Sequence, residues 1–266
     1  MARLQLNFGG RLSSTLIVWL PALAIVVAVI AGWEAYVRVF DVQKWLLPAP
    51  SLIAATLVKD AGMLWGHTRV TLGEVLVGFG VAMVIGVCLA SAIALSKTVE
   101  RAIYPFLIAS QTIPIIVIAP LLIIWVGYGL LPKVIVVALI SFFPIVVNTV
   151  DGMKSVDPDM VSMMRTLGAN RLQVFLKAQA PTALPYLFSG MKVAISVSVI
   201  GAVIGEWVGS SKGLGYLMVR SKPQFLTERV FAAIVILSAM GTALFVLVGV
   251  VEKLAMPWRK AKSVGS

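Results

Sequence analysis

Six apolar runs divide this chain, each of roughly 18–25 residues, the length an α-helix needs to cross a bilayer core. They fall near 14–38, 68–96, 102–126, 132–151, 183–206 and 229–252. Inside hydrocarbon every backbone group must bond within its own segment, so lone runs of this length become helices. The expected fold is therefore all-α: one polytopic membrane domain over 1–266, with about six transmembrane helices. A 60% hydrophobic, 12% charged composition excludes an ordinary soluble domain. Arg3 and Arg11 precede the first run and no small-x-small cleavage site follows it, so it is read as a retained span. Between the first two runs, Leu47-Pro48-Ala49-Pro50-Ser51 predicts a turn. Ser51 would cap a short surface helix ending near Trp65.

The net charge of +11 is not a nucleic-acid signature, because the basic residues are scattered over the ends of apolar runs rather than gathered on one face. They suit membrane flanks instead. With the N-terminus in the cytoplasm, twelve Lys and Arg fall inside and nine outside, with Lys192 within a span. That excess sets the expected orientation, with both termini cytoplasmic. Cys88 lies within an apolar run and is read as a buried, inert thiol. His67 is read as an interfacial loop residue; one Cys and one His make no Cys/His metal centre. No Gly-x4-Gly-Lys-Ser/Thr stretch occurs, so an ATP-binding loop would have to lie on another chain.

A polar break, Asp157 to Pro185, interrupts this apolar pattern. Asp157 can cap a short helix whose first position suits Pro158, and Asp159 places negative charge at its positive end. Gly168 supplies a left-handed stop, and Asn170 can cap a second helix running to Pro181 with Arg171 and Lys177 on its exposed side. Two short helices held at an angle between spans, over about 152–182, would form a rigid elbow suited to docking another protein.

The same stretch resembles the EAA loop of binding-protein-dependent ABC importer permeases. Arg165-Thr166-Leu167-Gly168-Ala169 is close to the family's commonest form, and Pro181 follows the glycine at the family spacing. Ser162-Met163-Met164 replaces the Glu-Ala-Ala triplet, and Ala178 and Ala180 replace the Ile and Leu before the final proline. The resemblance extends to Leu47-Pro48-Ala49-Pro50-Ser51, Ser141-Phe142-Phe143-Pro144-Ile145 with Asn148, Ser155-Val156-Asp157-Pro158 and Gly213-Leu214-Gly215-Tyr216. It is similar to the branch importing nitrate, sulfonates, taurine, or pyrimidine and flavin vitamins. The last span and tail lean toward thiamine-precursor pyrimidines or riboflavin.

This resemblance implies a permease subunit in the bacterial inner membrane, forming a homodimer, with two ATP-binding cassette ATPase subunits and a periplasmic or lipid-anchored binding protein. It implies no cofactor on this chain, with ATP and Mg held by the ATPase. Ser162, Arg165, Thr166, Leu167, Gly168, Ala169 and Asn170 would dock that partner. Gln111, Thr112 and Pro114 would line the pathway, and a simple helix kink remains an equal reading. Ser141, Asn148 and Ser196 are further polar candidates within spans. Glu206, Gly213 and Gly215 would form an external gate or touch the binding protein; a surface carboxylate paired with Lys212 is an equal reading.

Several features carry plainer readings. Gly201, Gly205 and Gly209, like Gly73, Gly78, Gly80 and Gly86, give small faces for helix packing or for a subunit interface. Lys192 is expected to snorkel to the membrane surface, and Glu34 and Glu74 to be solvated span ends. An ion-coupled secondary transporter would need midplane carboxylates or an inverted repeat, and neither is present. An intramembrane protease would have to rest on Lys192 and Ser196, one helical turn apart.

Overall fold

A computed structural model describes residues 10–257. Arg3, Arg259, Lys260, Lys262 and the side chain of Arg11, all part of the orientation tally, lie outside what it describes. The described residues are helical throughout their regular structure. They fall in two compact units, the first within Met1–Ala61 and Ser221–Ala232, the second within Gly62–Arg220 and Ala233–Ser266.

In the first unit, α1 (Gly10–Val39) leads through a turn to α2 (Pro50–Lys59). The Glu34 carboxylate accepts from Arg38 Nε at 2.6 Å, from the Ser51 N–H at 3.0 Å and from the Ser51 hydroxyl at 2.7 Å. Ser51 therefore does not cap the short helix as expected. Ala49 holds the cap position, and Ser51 sits in the first turn with its backbone donor taken by Glu34. Nor is Glu34 a freely solvated span end, since it is bound by those three donors. Trp33 packs on Phe231 with ring centroids 5.6 Å apart, and Arg229 Nε reaches Asp60 Oδ2 at 2.7 Å.

The second unit is built on α3 (Ala61–Leu95), α6 (Leu130–Lys154), α9 (Ala180–Gly209) and most of α11 (Thr227–Ala255). The helix α3 begins seven residues before the predicted span, so Trp65 and His67 lie on it rather than in a surface segment. Helices α6 and α9 run antiparallel, and glycines set their closeness. A Cβ at Gly201 would lie 3.1 Å from the Val137 backbone, and one at Gly205 3.3 Å from Lys133. One at Gly190 would meet the Pro144 carbonyl oxygen at 2.6 Å. Helix α3 lies parallel to α6, where Gly78 faces Val137 and Gly86 faces Ile145. These faces thus serve packing within the chain, whereas Gly73 and Gly80 have no neighbour at their Cβ positions.

Because a side chain at Gly190 would enter backbone, Gly190→Ala should force the α6–α9 pair apart. A destabilisation of about 1–3 kcal/mol is expected for such overpacking. The thermal midpoint of the detergent-solubilised chain measures it, with Gly73→Ala as the neutral comparison. Cys88, expected in the core, is exposed. It lies two residues, about 200° of helical rotation, past Gly86, on the side of α3 away from α6.

The third predicted span is broken. Helices α4 (Lys97–Thr112) and α5 (Ile115–Val126) meet at a bend of 100°. Ile113 is extended, as a residue before proline must tend to be, and Pro114 occupies the cap position of α5. Among the described residues, five helices are long and apolar enough to cross a membrane, or six if this bent pair counts as one span.

Candidate functional site

The elbow follows its local sequence signals closely. Helix α7 (Pro158–Thr166) opens with Asp157 Oδ1 accepting from the Asp159 N–H at 2.9 Å. It closes at Gly168, whose φ is +87°, with the Gly168 N–H donating to the Arg165 carbonyl and the Ala169 N–H to the Met164 carbonyl, both at 2.9 Å. The short helix α8 (Arg171–Val174) starts with a reciprocal capping box. Asn170 Oδ1 accepts from the Gln173 N–H and Gln173 Oε1 from the Asn170 N–H, both at 2.8 Å. These bonds fix the angle without help from a core, because no residue of α7 is buried.

Several large apolar side chains of the elbow are left uncovered within the second unit. Leu167 is 78% exposed and Met163 59%, and Met160, Leu172 and Leu176 are also exposed. Arg165, Arg171 and Lys177 stand exposed among them. Ser162, Thr166 and Asn170 are exposed too, while Ala169 is half-buried. A rigid helical knob bearing large apolar groups rimmed by cations has the character of a protein-docking surface.

The second elbow helix does not stop at Pro181, as had been expected. It passes through a π turn, Phe175–Gln179, into α9, so helix continues from Arg171 to Gly209 over 39 residues. The Ala180 N–H bonds back to Phe175, five residues earlier, and this wider turn admits Pro181 in the first turn of α9, where its missing donor costs little.

At the other end of α9 lies a buried polar network. Glu206, only 1% exposed, accepts from the Thr71 hydroxyl at 2.6 Å and from the Gly215 N–H at 2.5 Å. The Tyr216 N–H reaches the same carboxylate at 3.3 Å. The Leu214 N–H donates to Thr71 Oγ1 at 2.9 Å and the Gly213 N–H to His67 Nδ1 at 3.0 Å. Four successive donors at the start of α10 (Leu214–Ser221) are thereby satisfied by side chains of α3 and α9. Gly213 has φ +116°, and a Cβ at Gly215 would stand 2.9 Å from the Val203 carbonyl. The glycines are needed for this close seat.

Beside it, Lys133 Nζ donates to Glu74 Oε1 at 2.5 Å and to Ser210 Oγ at 2.8 Å. Glu74 is 1% exposed, so the expectation of a solvated span end is overturned. Its place on the α6-facing side of α3, one turn before Gly78, explains the burial. Glu206, Gly213 and Gly215 are likewise buried and offer no surface to a docked protein in this conformation. Glu206 is bound by Thr71 and the α10 turn, and the pairing with Lys212 is not formed.

The pathway candidates do not converge. Gln111, Thr112 and Pro114 are exposed at the break between α4 and α5. Ser141 is fully buried with no hydrogen-bond partner for its hydroxyl among the described residues, so it lines no opening. Asn148 half-buries itself by donating to the Pro144 carbonyl at 2.8 Å. Ser196 lines a cavity of about 610 Å³ between α5, α9 and α11. Its walls include Trp207, Phe245, Ser238 and Thr242, and carry no charged residue. Lys192 does not snorkel free, because it pairs with Glu252. Ser196 donates to the Lys192 carbonyl at 2.9 Å, so lysine and serine form no nucleophilic pair.

Over residues 82–255 the chain matches the family described as binding-protein-dependent transport system inner membrane component. The chain belongs to that family. This permease is 39% identical over 229 residues to the formylaminopyrimidine transport permease protein ThiX of Halalkalibacterium halodurans, covering 86% of this chain and 91% of that one. It is 38% identical to the riboflavin transport system permease protein RibX of Chloroflexus aurantiacus, covering 90% and 91%. A solved amino acid ABC transporter shares its fold with a TM-score of 0.60 at 17% identity, over 75% of this chain and 95% of that chain. The permease is a multi-pass membrane protein and a transport component.

Lys133, Thr71 and His67 hold together the buried polar groups of this permease, and none of the three is a site candidate on sequence grounds. A signal for Lys133 was present, since it sits at the start of an apolar run 59 residues after an equally isolated Glu74. Their pairing depends on α3 and α6 lying parallel, which no local pattern encodes.

Proposed function

We propose that this permease moves a thiamine-precursor pyrimidine or riboflavin inward, driven by ATP hydrolysis on two ATP-binding cassette subunits docked at the elbow. It works as a homodimer fed by a periplasmic or lipid-anchored binding protein, with both termini and the elbow in the cytoplasm. ATP and Mg belong to the ATPase subunits. Closure of the ATPase pair moves the docked elbows and opens the pathway outward; hydrolysis resets it inward.

The observation that carries this reading is the elbow itself: a capped, self-fixed helical knob with Leu167 78% exposed. The relatives named for a formylaminopyrimidine and for riboflavin, at 39% and 38% identity, support the cargo class. The uncharged cavity beside Trp207 and Phe245 supports it as well. A flat neutral ring can stack there, whereas a sulfonate or nitrate would lose its hydration without meeting a cation.

Mild-detergent purification from native membranes tests the docking. A P-loop ATPase should accompany the wild type, and Leu167→Asp should reduce its recovery at least tenfold, as for a central apolar contact. The substitution touches no core, so the chain itself should melt unchanged. Absence of any ATPase from well-folded wild type, even after cross-linking, would sink the assignment. The accompanying binding protein, titrated with a formylaminopyrimidine, riboflavin, taurine and nitrate, then decides the cargo.

A further inference from the structure

A second cavity, of about 440 Å³, lies where the turn joining α3 to α4 meets the elbow. Three cations from separate helices line it: Lys97 from the first turn of α4, Arg165 from the last turn of α7 and Arg171 from the start of α8. Ser96, Thr98 and Gln179 add polar groups to the wall, and no Asp or Glu belongs to it. The nearest acid along the chain, Glu100, is committed to Lys154 at 2.5 Å, though it also feels the charge of Lys97. No ion pair engages Lys97, Arg165 or Arg171 among the described residues.

The backbone adds to the positive field. Helix α4 is 16 residues long, and Ser96 Oγ accepts only the Val99 N–H, at 3.4 Å. The N–H groups of Lys97 and Thr98 have no acceptor within the helix. A helix N-terminus already favours anions, and here it stands among three side-chain cations that repel one another until an anion arrives. Two guanidinium forks, one ammonium and two hydroxyls match the many acceptor oxygens and multiple charge of a phosphate better than a single carboxylate.

We propose that this cavity binds a phosphate group and that the bound group ties the α3–α4 turn to the elbow. Binding rests on the cavity alone; its effect on transport rests on the docking role of the elbow given above. A phosphate of this kind has two sources, the headgroup of an anionic phospholipid or a soluble phosphate.

The test uses the full-length chain in neutral detergent without any ATPase, so its outcome is separate from the docking assignment. Inorganic phosphate is titrated calorimetrically at low salt, and retention of phosphatidylglycerol against phosphatidylcholine is read by native mass spectrometry. Lys97→Ala and Arg171→Ala should each weaken binding about tenfold, the loss of one charge-assisted contact. Lys97→Arg should restore it, and Lys44→Ala should leave it unchanged. Lys97 and Arg171 are exposed, so these variants should melt with the wild type. Heat from phosphate without lipid retention supports a soluble ligand; selective phosphatidylglycerol retention supports a headgroup. Wild type that binds neither probe, or binding that survives both alanine variants, overturns the proposal.

Discussion

Gly168→Val is expected to abolish transport while leaving the permease folded. A Cβ at Gly168 would touch nothing within 4 Å, so the substitution introduces no clash with the rest of the fold. Its whole effect comes from a φ of +87°, which costs an ordinary L-residue about 1–2 kcal/mol and a β-branched one more. The strain can be relieved only by re-bending the turn, which would break the bonds from the Gly168 and Ala169 N–H groups to Arg165 and Met164. Leu167 and Leu172, on either side of that turn, would then no longer present one surface. Co-purified ATPase should fall more than tenfold and cargo uptake in membrane vesicles should reach background. Gly168→Asn should keep much of both, because asparagine tolerates the left-handed region. Full uptake by the valine variant would remove the fixed bend from the mechanism.

The second large effect is expected at Lys133. Lys133→Met leaves the Glu74 carboxylate, 1% exposed, with its lysine partner gone. Removing one member of a buried pair costs about 3–5 kcal/mol, because the remaining charge is desolvated and uncompensated. The melting midpoint and the yield of monodisperse protein should drop sharply. Glu74→Gln combined with Lys133→Met should recover most of the loss, since the carboxylate that Lys133 compensated is then gone as well. A double variant no better than Lys133→Met would show that the loss came from packing around Lys133 and not from the stranded carboxylate.

The parts legible in the sequence are those fixed within a few residues. Asp157, Gly168 and Asn170 lie in the elbow where their capping chemistry puts them, since each acts on backbone groups no more than four positions away. The membrane helices were legible as apolar runs. What eluded the sequence was set by neighbours in space. Pro114 gave a choice between a lined pathway and a kink, and the 100° break between α4 and α5 exceeds either picture of one continuous span. Pro181 marked a helix end, yet the preceding π turn let the helix continue. The burial of Glu74, expected as a solvated span end, and of Glu206, expected as a gate or contact residue or a surface carboxylate, was hidden because their partners, Lys133 on α6 and Thr71 on α3, lie 59 and 135 residues away.

The uninterrupted helix from Arg171 to Gly209 makes the molecule a pushrod. At 1.5 Å per residue, Glu206 stands roughly 50 Å from Arg171, so a tilt of about 10° at one end carries the other by roughly 9 Å. A helix has little give along its length, and its two weakened turns, the π turn at Phe175–Gln179 and the turn before Pro185, both sit at the elbow end like a universal joint next to its handle. Force applied there reaches the far shoulder of the protein almost undiminished, where it meets the carboxylate that holds the start of α10.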